Sequence, residues 1–381
     1  MYLRPEWSER IEEAFGERSI VWLKGVRRVG KTVLCRSLPD VEYFDCELPR
    51  TRRLLDDPQG FLDELQGKRI VLDEIHRLSD PSEVLKIAAD HYPNTQVLAT
   101  GSSTLGASSR FRDTLTGRKK TVWLTPMTLA DLSAFEPSDL RHRLQHGGLP
   151  PFFLSDLFPE SDYQEWLDSY WAKDIQELFR LERRASFQRL VELVATQSGG
   201  IFEATRFAGP CEISRQTVTN YLSVLEATLV AHVVRPYSTR RSTELVSAPK
   251  VYAFDTGFVC FALGRRELRP EDLGLLWEHF VLNELQASLQ AQQIHYWRDK
   301  NRHEIDFVIR SRGTAPNAIE CKWSAGDFNP RNLLAFRRQY PQGMNWVVST
   351  DVDRGLTRQV NGVEVRYVGL RELIGELGSV I

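Results

Sequence analysis

The octapeptide GVRRVGKT, Gly25 to Thr32, constrains this chain more than any other segment. It matches G-x-x-x-x-G-K-[ST], follows the apolar run IVWL and precedes the helical stretch VLCRSL, so it is a turn between a strand and a helix. Glycines let such a turn aim backbone amides at an anion, and the start of the following helix favours negative charge. The lysine spreads charge onto the outer phosphate oxygens and the threonine hydroxyl reaches a metal ion. Gly25, Val29, Gly30, Lys31, Thr32 and Val33 are therefore the candidate ATP-binding residues, with Thr32 also a candidate Mg2+ ligand.

A second motif has the complementary chemistry. KRIVLDEIH is an apolar strand ending in Asp73 and Glu74. Asp73 is positioned to hold the Mg2+ shell and Glu74 to polarise the attacking water. The next apolar run, TQVLATGSS, ends in small hydroxyl residues, of which Ser102 is the candidate γ-phosphate sensor and Thr100 and Ser103 are close competitors. Further on, Gly117 and Arg118 precede the strand KKTVWLTP. Arg118, favoured over Arg110 and Arg112, is the candidate arginine finger that reaches a neighbouring subunit's nucleotide; an arginine on a solvated loop is the plainer reading.

At 381 residues the chain exceeds one ordinary core, since domains run to about 100 to 200 residues each. With 42% hydrophobic and 26% charged residues it has enough apolar material for a core in each domain. A formal net charge of -2 exerts no global pull on nucleic acid, so any DNA surface must be local. Five scattered cysteines, without a CxxC pair, indicate neither a zinc site nor a disulfide framework. The amino terminus is charged rather than signal-like and no apolar run reaches the roughly 18 residues of a membrane span, so a cytoplasmic protein is expected.

Residues 20 to 124 alternate short apolar runs (SIVWLKG, VEYFDCE, KRIVLDEI, TQVLATGSS, KKTVWLTP) with amphipathic stretches, the pattern of a mostly parallel sheet covered by helices. A long helical stretch from Tyr163 to Arg184 closes this part. From Phe187 to about Tyr237 the chain reads helix, turn, helix, with Ser214 capping a recognition-type helix and Val218, Leu222 and Leu225 facing inward. After about Leu273 come a helix (GLLWEHFVLNELQASL), the strands IHYWRD, EIDFVIRS and NAIECKW, another helix and the strand MNWVVS. The expected division is 1–184, 185–255 and 256–381.

Together GVRRVGKT, VLDEIH, TGSS, LTGR, YWAKDI, KVYAFDTG, EHFVLNEL, EIDFVI and IECK resemble the prokaryotic AAA-type ATPases fused to a C-terminal domain of uncharacterised function. The resemblance spans essentially the whole chain. It implies an α/β protein: a P-loop AAA-type core, then a winged helix-turn-helix, then a mixed α/β restriction-endonuclease-like domain. His76 stands where the resembled DEIQ pattern has glutamine. Glu278, Asp306, Glu320 and Lys322 resemble the PD-(D/E)XK nuclease core, in which a strand carries Asp, the next carries Glu-x-Lys on one face, and a helix adds an acid.

Trp297, Arg298, Lys300, Arg302 and His303 share one loop, while Arg235, Arg240 and Arg241 gather near the expected wing. Arg240, Arg241 and Arg298 are the candidate DNA contacts. The function this implies is a DNA-dependent ATPase, a ring or partial ring of identical subunits that remodels or translocates DNA, including branched or junction DNA. An ATP-controlled Mg2+-dependent nuclease and a nucleotide-controlled protein-assembly switch in defence or signalling are the alternatives.

Overall fold

The fold follows from where the apolar runs end. A computed structural model describes residues 4–101, 109–135, 139–179, 183–239, 248–290, 294–310 and 313–380. It falls into two compact units, one of Met1–Asp139, Gly148–Glu182 and Val224–Val230, the other of Leu140–Gly147, Arg183–Ser223 and Ala231–Ile381.

In the first unit the five expected runs are strands: β1 (Ile20–Lys24), β2 (Val41–Asp45), β3 (Arg69–Asp73), β4 (Gln96–Thr100) and β5 (Lys119–Trp123). All neighbours pair in parallel, in the order β2-β3-β4-β1-β5. The three inner strands are covered on both faces, which is why they read as unbroken apolar runs: Ile20 to Leu23, Ile70 to Leu72 and Val97 to Ala99 are all buried. Edge strands β2 and β5 carry exposed residues instead. Helices start where the sequence supplies caps. Asp57 and Asp80 each accept a backbone N–H three residues on, at 3.1 Å, at the head of Pro58–Glu64 and Pro81–His91. Because β4 lies between β1 and β3, the carboxyl ends of three strands meet at one edge of the sheet, where ligands bind in open α/β folds.

The second unit is built on a nine-stranded mixed sheet in the order β13-β14-β12-β11-β10-β9-β7-β8-β6. Its strands are β6 (Gly200–Ile201), β7 (Ala231–Pro236), β8 (Lys250–Ala253), β9 (Ile294–Arg298), β10 (Glu304–Ile309), β11 (Asn317–Cys321), β12 (Asn345–Val348), β13 (Leu356–Val360) and β14 (Val363–Val368). The segment expected over 185–255 therefore shares a sheet with the C-terminal strands, through parallel pairing of β7 with β9. Its element order is helix Arg184–Thr196, β6, helix Ala204–Ala208, helix Arg215–Ala227, β7, β8. Ser214 caps the third helix, its Oγ accepting the Thr217 N–H at 3.1 Å, and Val218, Leu222 and Leu225 are buried. The hairpin β13–β14 had no counterpart in the sequence reading. The 20-residue helix Pro270–Leu289 is apolar nearly all round and correspondingly buried, with Trp277 Nε1 donating to the Val348 carbonyl at 3.1 Å. All five cysteines are buried free thiols, and among the described residues no helix is long and apolar enough to cross a membrane.

Candidate nucleotide site

The loop from Gly25 leaves β1 and enters the helix Lys31–Ser37. A Cβ on Gly25 would sit 2.6 Å from the Leu124 carbonyl oxygen, so no other residue fits there. Gly30 turns the chain at φ 103°, a conformation only glycine adopts without strain. Lys31 Nζ donates to the carbonyls of Gly25 and Val26 at 2.9 and 3.1 Å, folded back over its own loop. Burial, the largest influence, lowers its pKa, while Glu74, Asp174 and Asp73 pull the other way. Behind the loop, Val29 is buried and Arg4 supports it: Arg4 Nη1 donates to the carbonyls of Val29 (3.3 Å) and Thr125 (3.0 Å), and Nη2 pairs with Asp131 at 2.6 Å. No local signal in the sequence marks Arg4 for this role.

The acids ending β3 are held by their neighbours on both sides. Asp73 is buried; its Oδ2 accepts from the Tyr43 hydroxyl of β2 at 2.6 Å and its Oδ1 from the Thr100 hydroxyl of β4. Thr100 Oγ1 also accepts the Glu74 N–H at 3.1 Å. Glu74 has left-handed backbone (φ 54°, ψ 43°), which turns its carboxylate out of the strand to face His76 Nδ1 at 3.1 Å. Burial is the largest influence on Glu74 and would raise its pKa, but His76, Lys31 and Arg27 together outweigh it and hold the group below the usual glutamate range. Asp73 and Thr32 are hard oxygen donors of the kind that would hold Mg2+. Thr100 thus touches both acids at once. Thr100→Val is expected to slow hydrolysis by about tenfold with ATP affinity little changed, and Thr100→Ser to restore it, as checked by steady-state turnover, because the isosteric change removes only the hydroxyl that positions the two acids.

Around these groups lies a cleft of about 300 Å3 lined by the loop, Glu74, His76, Arg77, Gly101 and residues of the helical segment 166–174. Thr32 and Val33 line it as well. Ser102, and its competitor Ser103, lie outside the described residues, as do the side chains of Arg110 and Arg112. Arg118 is bound within its own chain: Nε and Nη2 donate to Asp90 Oδ1 and Oδ2 at 2.8 and 3.0 Å.

A family model described as an AAA domain matches residues 17–133, and two described as domains of unknown function, DUF8612 and DUF4143, match residues 137–269 and 273–365. The uncharacterized protein Rv2008c of Mycobacterium tuberculosis is 30% identical over 332 residues, covering 84% of this chain and 74% of that protein. The chain belongs to its family. An uncharacterized protein of Haemophilus influenzae is 21% identical over 322 residues, 76% of this chain and 78% of that one. Among solved structures, a Thermococcus gammatolerans assembly of McrB AAA+ hexamers with bound McrC matches 51% of this chain and 52% of that chain at 12% identity and a TM-score of 0.24. Cdc6p of Pyrobaculum aerophilum matches 69% and 93% at 11% identity and a TM-score of 0.29. Scores this low give neither likeness any bearing on what the chain does. With its AAA domain, this family member is an ATP-hydrolysing P-loop NTPase.

The second unit of this AAA-family chain brings the other predicted residues together. Glu278 on the helix Pro270–Leu289, Asp306 on β10, and Glu320 and Lys322 at the end of β11 converge, joined by Lys250 and Tyr252 of β8, which the sequence reading missed. Lys322 Nζ lies 2.8 Å from Glu320 Oε2 and 3.4 Å from Asp306 Oδ2. Lys250 Nζ lies 3.1 Å from Glu278 and 2.7 Å from Glu304, and the Tyr252 hydroxyl donates to Glu278. Burial would lower Lys250 and Lys322, but the surrounding carboxylates outweigh it and hold both ammoniums charged. Burial first, and Asp306 second, push Glu278 and Glu320 up. The two lysines pair with Glu278 Oε1, Asp306 Oδ2 and Glu320 Oε2, and Glu320 Oε1 is buried without a partner. Among the described residues no group of three or more His, Cys, Asp or Glu is placed to hold a metal. Arg298 is exposed on β9 and faces Glu304 at 3.4 Å, whereas Trp297 is buried in the core. Arg240 and Arg241 lie outside the described residues.

Proposed function

We propose that this AAA-family ATPase couples ATP hydrolysis to binding and remodelling or translocation of DNA, acting as a homo-oligomer. In the nucleotide site Lys31 leaves its loop carbonyls for the phosphate oxygens, Thr32 and Asp73 would hold Mg2+, which neutralises phosphate charge when bound, and Glu74 takes the proton of the attacking water. Arg118 is the group offered to a neighbouring subunit; it acts there by exchanging Asp90 for the developing charge on the γ-phosphoryl group.

The observation that carries the DNA reading is the helix Arg215–Ala227. Its buried face is Val218, Tyr221, Leu222 and Leu225, while Arg215, Gln216, Thr219, Asn220 and Ser223 are exposed along the other. Such a row of hydrogen-bonding side chains, on the third helix of a helix–strand–helix–helix–strand–strand order, suits a winged helix that lays this helix against a duplex groove. The test is binding and ATPase stimulation with single-stranded, linear duplex and four-way junction DNA at several salt concentrations. DNA is expected to stimulate turnover, and Arg215→Ala to weaken binding for all sequences and flatten the salt slope by about one. If no DNA binds or stimulates, a nucleotide-controlled protein-assembly switch becomes the better reading. An ATP-controlled nuclease gains little from the second unit, because among the described residues its carboxylates are not grouped to hold a metal; DNA cleavage abolished by Asp306→Asn would reverse that judgement.

A further inference from the structure

The exposed face of the helix Arg215–Ala227 is unlike one that only meets water. In a chain with 26% charged residues, Arg215 alone among Arg215, Gln216, Thr219, Asn220 and Ser223 carries a charge. Asparagine, threonine and serine are also weak helix formers, so placing them here lowers the helix's own stability. A face kept for solvation gains nothing from that choice, whereas a face that reads a partner does.

The bonds among these side chains fix what they offer. Gln216 Nε2 donates to Asn220 Oδ1 at 3.1 Å, one helical turn further on. That bond leaves Gln216 Oε1 as an acceptor and Asn220 Nδ2 as a donor, side by side on the exposed face. The Thr219 hydroxyl donates to the Arg215 carbonyl at 3.2 Å and the Ser223 hydroxyl to the Thr219 carbonyl at 3.1 Å, so Thr219 offers its methyl group. Among the described residues the Arg215 guanidinium has no partner, and no residue of this face is acidic. An acceptor beside a donor complements adenine, whose major-groove edge carries the N6 amino group and the N7 lone pair, and a methyl group suits the methyl of the paired thymine. The uncompensated positive charge of Arg215 complements a phosphate.

We infer that this helix is specific for duplex DNA with an A·T pair at a fixed position, Gln216 and Asn220 reading the adenine, Thr219 touching the thymine methyl and Arg215 holding a flanking phosphate. This rests on the DNA reading above and adds to it the kind of site: the ATPase is directed to particular sequences, not to any backbone of suitable shape. Gln216 and Asn220 set specificity, and Arg215 sets affinity.

Selection from a randomised duplex pool with the full-length protein, followed by titration of the enriched duplex, tests it. The enriched sequences are expected to share a fixed A·T pair. Its replacement by G·C lowers affinity about tenfold for the parental protein and less than about twofold for Asn220→Ala. Replacing the adenine by 7-deazaadenine, which lacks the N7 acceptor, weakens the parental protein about fivefold and leaves Asn220→Ala unchanged, because the variant has already lost that bond. Alanine is the better helix former, so Gln216→Ala and Asn220→Ala are expected to melt with the parent. Salt-dependent DNA binding with no enriched sequence would overturn the inference and leave the DNA reading standing. A preferred pair that both variants still select would overturn the assignment of these residues, and failure to bind any duplex would remove the inference together with the DNA reading.

Discussion

Glu74→Gln is expected to bind ATP like the parental protein and to hydrolyse it about a hundredfold to ten-thousandfold more slowly. The amide keeps the size of the side chain, and the backbone that places it, with the Glu74 N–H on Thr100, is untouched. What it lacks is a site for the proton of the attacking water. Glu74 is ionised, and so free to accept that proton, at neutral pH because its pKa is held below the ordinary 4.5; burial acts in the opposite sense but is outweighed by His76, Lys31 and Arg27. A depressed pKa means the base is fully present above the ordinary value and is lost only as pH falls through the depressed one. Any loss of activity between pH 6 and pH 8 on the order of one proton therefore belongs to another group. Parental turnover in Glu74→Gln, measured at saturating ATP, would remove Glu74 from the mechanism.

Lys31→Ala should fail one step earlier, with ATP affinity lowered by at least about a hundredfold and hydrolysis lost with it. Lys31 spends its hydrogen bonds on two carbonyls of its own loop, so its removal leaves the core intact and the nucleotide-free melting temperature near that of the parent. The nucleotide-induced rise is what disappears. A ligand at about a hundred times its Kd stabilises a protein by about 2.7 kcal/mol, enough to read as a melting shift. A Lys31→Ala protein that retains the full shift would show that the phosphates are held elsewhere in the cleft. The two variants thus separate binding from chemistry: one loses the shift, the other keeps it and loses turnover.

Much of the first unit was legible because its signals are local. The five apolar runs became β1 to β5, and the inner ones read as continuous because both faces of the sheet are covered. The loop was legible because each residue type answers a requirement at its own position, shown by the Gly25 approach to Leu124 and the positive φ of Gly30. Ser214 as a cap and the buried face of its helix follow from spacing along one helix. Likewise Asp306, Glu320 and Lys322 could be placed together because β10 and β11 are consecutive antiparallel strands.

What sequence could not decide was which strands and segments become neighbours. The placement of β4 between β1 and β3 is a property of the sheet, and it alone makes Thr100 the hydroxyl that holds the Asp73 carboxylate and the Glu74 backbone. Tyr43 reaches Asp73 from β2, Arg4 reaches Val29 across 25 residues, and Asp174 reaches Arg27 across 147, none with a local mark of its partner. In the second unit the pairing of β7 with β8 and β9 brings Lys250 and Tyr252 to carboxylates that resemble a nuclease's metal ligands. The reason is physical: strand period, caps and glycine turns are set by interactions within a few residues, whereas strand order is set by the packing of the whole sheet. The sequence therefore determined which chemistry this chain carries at its nucleotide site, and the tertiary structure decided which side chains hold it in place.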